Sequence, residues 1–198
     1  MSELEILSTR EAKAFICQGV AIVDVRSLRS YCQGHIVGSL SLPGGRYQLS
    51  LMAAQKELAD RRALLIADTP TTAYESAEEL SSARVAVVGA WVTSSEGFQH
   101  AGLRTKFLTG LKRAHIPSYL AAHPDIVVFD IRERHESDQF PLPWLCHSSP
   151  LSSWPRSLPA VDPDDALLLF ADDAHRPLWA AWALLQWGFQ NIAYIKEH

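Results

Sequence analysis

Apolar residues gather in six short unbroken runs, separated by stretches in which polar and apolar positions alternate at helical spacing. The runs are 20–24, 63–67 and 85–88 in the first half and 126–130, 166–171 and 192–195 in the second. Apolar runs of about four to eight residues without alternation predict strands buried on both faces. Between them, Ser8-Thr9-Arg10-Glu11 opens a helix over residues 9–18. A hydroxyl at its start can accept otherwise unpaired amides, and Glu11 suits the positive end of the dipole. Further helices are expected over Thr72–Leu80 and Pro177–Trp187, with Gly188 placed to close the latter. Strands alternating with helices predict an α/β class with mainly parallel sheets covered by helices on both faces. Residues 91–115, which include Thr93-Ser94-Ser95-Glu96-Gly97, read as a connector.

The pattern occurs twice. Ala21-Ile22-Val23-Asp24-Val25-Arg26 returns as Val127-Val128-Phe129-Asp130-Ile131-Arg132, with Asp24 and Asp130 106 positions apart. The apolar run ending at Ala67 returns 104 positions later as the run ending at Ala171. Arg84-Val85-Ala86-Val87-Val88 and Asn191-Ile192-Ala193-Tyr194-Ile195 keep nearly the same spacing. Three landmarks in one order predict duplication of a domain of about 100 residues.

Composition narrows the classes of function. An apolar share of 47% in 198 residues is enough for real cores. A net charge of −4 with no basic run argues against nucleic acid as a partner. No segment reaches the ~20 apolar residues of a membrane span, and the acidic start Met1-Ser2-Glu3-Leu4-Glu5 does not read as a secretory signal. Cys17, Cys32 and Cys146 form no CxxC or metal-like cluster, so a reduced, cytoplasmic setting without cofactor or metal is expected. His115, His123 and His135 lack ligand spacing.

The first half then carries a resemblance. Ile22-Val23-Asp24-Val25-Arg26, followed by Tyr31-Cys32-Gln33-Gly34-His35-Ile36-Val37-Gly38-Ser39 and Pro43, resembles the first signature of rhodanese domains. That signature is an apolar strand ending in Asp-x-Arg, then Gly-His-Ile-x-Gly-Ala and a proline. Ser8–Gly19 is similar to the family's opening helix. In the second half Asp130-Ile131-Arg132-Glu133 with Glu136 fits, whereas Asp138-Gln139-Phe140-Pro141 stands where Gly-His-Ile is expected. Leu178–Phe189, with Trp187-Gly188-Phe189, resembles the helix and glycine turn after the family's active loop. The resemblance implies two rhodanese-like domains in tandem, residues 1–105 and 106–198, each a mainly parallel sheet flanked by helices. The second ends at His198, where family domains continue into a glycine pair and a tryptophan, so a clipped domain or part of a longer rhodanese array is expected.

Rhodanese domains move sulfane sulfur on a cysteine persulfide held in a strand-to-helix loop. Backbone amides and a helix N-terminus favour the thiolate and an anionic donor there. The resemblance places the cysteine at Ala67 and Ala171, and the loop arginine at Thr72 and Arg176. A methyl group carries no persulfide, so no catalytic residue is implied. Pro70 removes an amide from the first loop. Asp172 and Asp173 in the second would repel a dianion, leaving His175 and Arg176 as its binding groups, or else they cap the next helix.

The other residues have structural readings beside functional ones. Asp24 with Arg26 and Asp130 with Arg132 read as local ion-pair braces, His35 as a buried histidine, and Gly34 and Gly38 as turn positions. Cys17 reads as core, one helical turn from Ala14, and Trp179 and Trp182 as sharing a neighbour. Cys32 beside Gly34-His35 and Cys146 beside His147 are weak alternatives as sulfur carriers. Asp24 with Asp68, or Asp130 with Asp172, could instead hold magnesium, although Arg26 stands where haloacid-type phosphatases place a second aspartate. The expected function is a catalytically inactive regulatory, binding or scaffolding module, with a protein or a small anion as partner. The alternative is a sulfurtransferase that uses a non-standard cysteine or an active domain outside this chain.

Overall fold

The structure is a computed structural model that describes residues 4–43, 58, 61–154, 158, 160–173 and 175–195. The chain divides into two compact units, residues 1–107 and 108–198. In the first unit the elements run α1 (Thr9–Cys17), β1 (Ala21–Asp24), α2 (Leu28–Gln33), β2 (His35–Ile36), β3 (Leu40–Ser41), β4 (Arg62–Ala67), α3 (Pro70–Ser82), β5 (Ala86–Val92), α4 (Ser95–His100) and β6 (Thr105–Lys106). The second contains β7 (Thr109–Leu111), α5 (Ile116–Ala122), β8 (Val127–Asp130), α6 (Arg134–Gln139), β9 (His147–Ser148), β10 (Ala166–Phe170), α7 (His175–Gln186) and β11 (Asn191–Ile195).

The main sheet of each unit is parallel and the two share one order, while β2 and β6 form a separate antiparallel pair in the first unit. In the first, β3-β1-β4-β5 is extended by a bridge from Ile6 to Ala90 on the outer side of β5. In the second, β9-β8-β10-β11 is extended by β7 on the outer side of β11. The central strands are mostly apolar because helices cover both their faces, with Arg62 at the exposed start of β4 and Asp24 and Asp130 at the ends of β1 and β8. Alternate side chains of β4 serve two cores: Ala63, Leu65 and Ala67 join Val23, Val25 and Leu80, whereas Leu64 and Ile66 join Ala12, Trp91 and Phe98. The strand period of two thus splits one sequence between two layers.

Local chemistry sets the helix ends. Ser8 and Glu11 form a reciprocal capping box at the start of α1. Helix α3 begins at Pro70, two residues before the expected Thr72, because Thr69 caps it and proline's fixed φ suits the first helical position. Helix α7 likewise begins at His175 instead of Pro177. The expected connector 91–115 is structured: it holds the end of β5, α4, β6 and β7, and Phe98 is fully buried. Cys17 is exposed instead of core, because α1 turns Ala12 inward and leaves Ala14 and Cys17 on its outer side. Among the described residues no helix is long and apolar enough to cross a membrane.

Candidate functional site

The two loops that end β4 and β10 are the natural place for chemistry, since parallel α/β sheets put their ligands at the carboxyl ends of the strands. In the first unit Asp24 leaves β1 and turns back on Arg26. Arg26 donates from Nε to Asp24 Oδ1 at 2.9 Å and from Nη2 to Asp24 Oδ2 at 2.7 Å. The same Nη2 donates to the Gly34 carbonyl at 2.7 Å, and Nη1 donates to Ser95 Oγ at 3.3 Å. The guanidinium carbon also lies 4.7 Å from the centre of the Phe98 ring. Both charges are buried. Burial pushes the Asp24 carboxyl up, and the hydrogen bonds from Arg26 oppose that shift.

The second unit repeats the brace with a different outer partner. Arg132 donates from Nε to Asp130 Oδ1 at 2.8 Å and from Nη2 to Asp130 Oδ2 at 2.7 Å. Its Nη1 donates to Asp172 Oδ2 at 3.2 Å, where the first unit uses the hydroxyl of Ser95. Arg113 donates to the other oxygen of Asp172 at 2.9 Å. Both guanidinium groups lie over the ring of Phe170, at 5.1 Å for Arg113 and 4.9 Å for Arg132. Carboxylates saturated by guanidinium donors are poor metal ligands. Among the described residues, no three His, Cys, Asp or Glu side chains gather as metal ligands.

Behind Ala67 the loop is only Asp68 and Thr69. Ala67 is fully buried, and its side chain belongs to the core. Asp68 Oδ2 accepts from Ser27 N at 3.3 Å and from Ser30 Oγ at 3.2 Å, tying the loop to the start of α2. Thr69 Oγ1 accepts from Thr72 N at 3.1 Å and shares a hydrogen bond with the Thr72 hydroxyl at 2.9 Å. Pro70 offers no amide, and the Thr72 amide is already taken.

Behind Ala171, also buried, the two aspartates divide their work. Asp173 caps α7 by accepting from Arg176 N at 2.8 Å, as expected, whereas Asp172 bridges Arg113 and Arg132 instead of capping. The Arg176 guanidinium pairs with Glu136, whose Oε1 accepts from Nη2 at 2.8 Å, and also with Asp173. These hydrogen bonds lower the Glu136 carboxyl to about 2, and they raise Arg176 further. His175 is the first residue of α7.

His35 is buried, stacks on Tyr31 with ring centres 4.0 Å apart, and pairs its Nδ1 with the Tyr31 carbonyl at 3.0 Å. Burial lowers its affinity for a proton. Gly38 has φ +83, as a turn glycine should, but Gly34 is extended. A Cβ on Gly34 would stand 2.9 Å from Ser95 Cβ, so close approach explains that glycine. Cys32 is fully buried, and burial pushes its thiol up to about 12. Burial also raises Cys146. Trp179 and Trp182 pack edge to face at 5.8 Å. Sequence reasoning missed Arg113 and Ser95. Each sits in a stretch without apolar periodicity, and its partner is brought in by the fold.

No family model and no curated protein matches the chain. Solved structures do. The thiosulfate sulfurtransferase from Pseudomonas aeruginosa aligns with 98% of this chain and 43% of its own, at 18% identity and a TM-score of 0.39. EanB in its wild-type form aligns with 98% of this chain and 58% of its own, at 13% identity and a TM-score of 0.48. The Alr3790 protein from Anabaena aligns with 59% of this chain and 89% of its own, at 19% identity and a TM-score of 0.41. The chain therefore spans less than two thirds of the length of this sulfurtransferase and of EanB. At these identities the likeness assigns no activity to the chain.

Proposed function

We propose that this chain is a non-catalytic, tandem rhodanese-like module of the cytoplasm that acts by binding, as a regulatory or scaffolding element. The observation that carries the reading is the state of the two strand-to-helix loops. Each begins with a buried alanine, and the groups that would face an anion are taken by the protein itself. Thr69 holds the Thr72 amide, and Glu136 and Asp173 hold Arg176. An incoming sulfur oxyanion would have to displace a carboxylate already hydrogen-bonded to Arg176. Cys32 lacks the exposure and thiolate character that a sulfur carrier needs. A scaffold that has lost its nucleophile but kept two packed domains still offers sheet edges and loops to a protein partner.

Cyanide–thiosulfate turnover tests the reading. The purified chain is expected to match a protein-free blank, and each of Cys17→Ser, Cys32→Ser and Cys146→Ser should leave that result unchanged. Robust turnover that vanished with one of these substitutions would establish the alternative, a sulfurtransferase with a non-standard cysteine.

A further inference from the structure

The loop aspartate of the second unit is held by two arginines at once. Arg113 Nη1 donates to Asp172 Oδ1 at 2.9 Å and Arg132 Nη1 donates to Oδ2 at 3.2 Å, so each oxygen meets a different guanidinium. In the first unit the corresponding Asp68 accepts from Ser27 and Ser30, and Arg26 turns its Nη1 to the Ser95 hydroxyl. The brace of the second unit does not need Asp172. Arg132 is fully buried and already makes two shorter bonds to Asp130, at 2.8 Å and 2.7 Å. Helix α7 does not need it either, because Asp173 caps that helix. The Asp172 side chain is 37% exposed and that of Arg113 47%, so the contact between them opens to solvent.

We infer that Arg113 and Arg132 form a carboxylate-binding fork, which Asp172 fills as a tethered ligand and yields to the single carboxylate of an incoming molecule. The fork outlasts the departure of Asp172. Both guanidinium groups lie over the buried ring of Phe170, at 5.1 Å and 4.9 Å, and that ring holds their planes in place. A site fixed in advance spends little free energy on ordering when its ligand arrives. Donors placed on the two oxygens of one planar group suit a carboxylate. Charge then sets the valence. With Asp172 turned out, Asp130 still neutralises Arg132, and Arg113 leaves one net positive charge at the fork. That charge balances one carboxylate and not a dianion such as sulfate. Asp172 competes from within the chain, so it lowers the apparent affinity for any outside ligand. A carboxylate fork gives the binding role proposed above its ligand class and rests on that role for its purpose. The two fail separately: thiosulfate turnover would remove the role and leave the fork.

The test titrates the nitrogen-labelled full chain at constant ionic strength, and the side-chain Nε resonances of Arg113 and Arg132 report occupancy. The probes are sodium propionate, acetyl-Gly-Glu-Gly-amide, its neutral counterpart acetyl-Gly-Gln-Gly-amide, and sodium sulfate. Propionate and the glutamate peptide should shift both resonances along one saturating curve. The glutamine peptide should shift neither, and sulfate should bind more weakly than the carboxylates. In Asp172→Asn the apparent affinity should rise about tenfold, because the internal competitor is gone. The added response should vanish in Arg113→Gln/Asp172→Asn. Tighter binding by the glutamate peptide than by propionate would support an acidic side chain of a partner protein as the source, and equal binding would support a small carboxylic acid. No shift with either carboxylate, an equal shift with the glutamine peptide, tighter binding of sulfate, or unchanged affinity in Asp172→Asn would overturn the proposal and leave Asp172 as a structural brace.

Discussion

Glu136 grips Arg176 through both carboxylate oxygens, and in doing so joins the first turn of α6 to the first turn of α7. Glu136 also accepts from Glu133 N at 2.8 Å, so one side chain serves a helix cap and an ion pair together. Its carboxyl is lowered to about 2, chiefly by the Arg176 hydrogen bonds. A depressed carboxylate stabilises the fold above its unfolded pKa, and that contribution disappears as pH falls through the folded value. Glu136→Gln should therefore cost about 1 kcal/mol at neutral pH. The gap to the parent should close between the ordinary glutamate value of 4.5 and about 2. Denaturant titrations across that window check it, and a gap independent of pH would refute the assignment.

The buried braces should matter more. Asp24→Asn leaves the Arg26 guanidinium buried without its counter-charge, and Asp130→Asn does the same to Arg132. Each should destabilise its unit by about 3–5 kcal/mol, because the remaining charge stays desolvated. Asp172→Asn should cost much less, since that carboxylate is partly exposed and Arg132 keeps Asp130. Thermal denaturation of the three variants gives the ranking.

Gly34 has a steric reason that can be tested by pairing two substitutions. Gly34→Ala puts a methyl group against Ser95 and should cost about 1–3 kcal/mol through overpacking. In a Ser95→Gly background the added cost should shrink, although that background itself loses hydrogen bonds to the Gly34 carbonyl and Arg26. Additive effects in the double variant would show that the contact is not the cause.

Much of the sheet was legible in the sequence because burial on both faces leaves unbroken apolar runs. All six runs are strands, displaced by a few residues at most. The short edge strands β2, β3, β6, β7 and β9 were not legible. Two- or three-residue strands carry no periodicity, and partners far along the chain define them. Pro70 removes an amide from the loop, but the ring that removes the donor also fixes the φ that starts α3. The alanines and the Asp-x-Arg braces were visible as residue types. What occupies Arg176 was not, because Glu136 lies 40 positions away and only the fold brings them together.

The thiols of Cys17 and Cys32 should separate by accessibility. Cys17 is exposed, whereas Cys32 is fully buried with its thiol pushed up to about 12. A maleimide added to the native chain at neutral pH should label Cys17 within the mixing time and reach Cys32 only after denaturant is added. Peptide mapping reads this directly, and rapid native labelling of Cys32 would contradict the burial.

The central claim is that neither alanine-led loop, nor any cysteine standing in for one, forms a persulfide. Intact mass measurement of the full chain after incubation with thiosulfate, without cyanide to discharge the sulfur, tests it in one step. The predicted result is an unchanged mass. A stoichiometric gain of one sulfur atom, mapped to Cys17, Cys32 or Cys146, would contradict it.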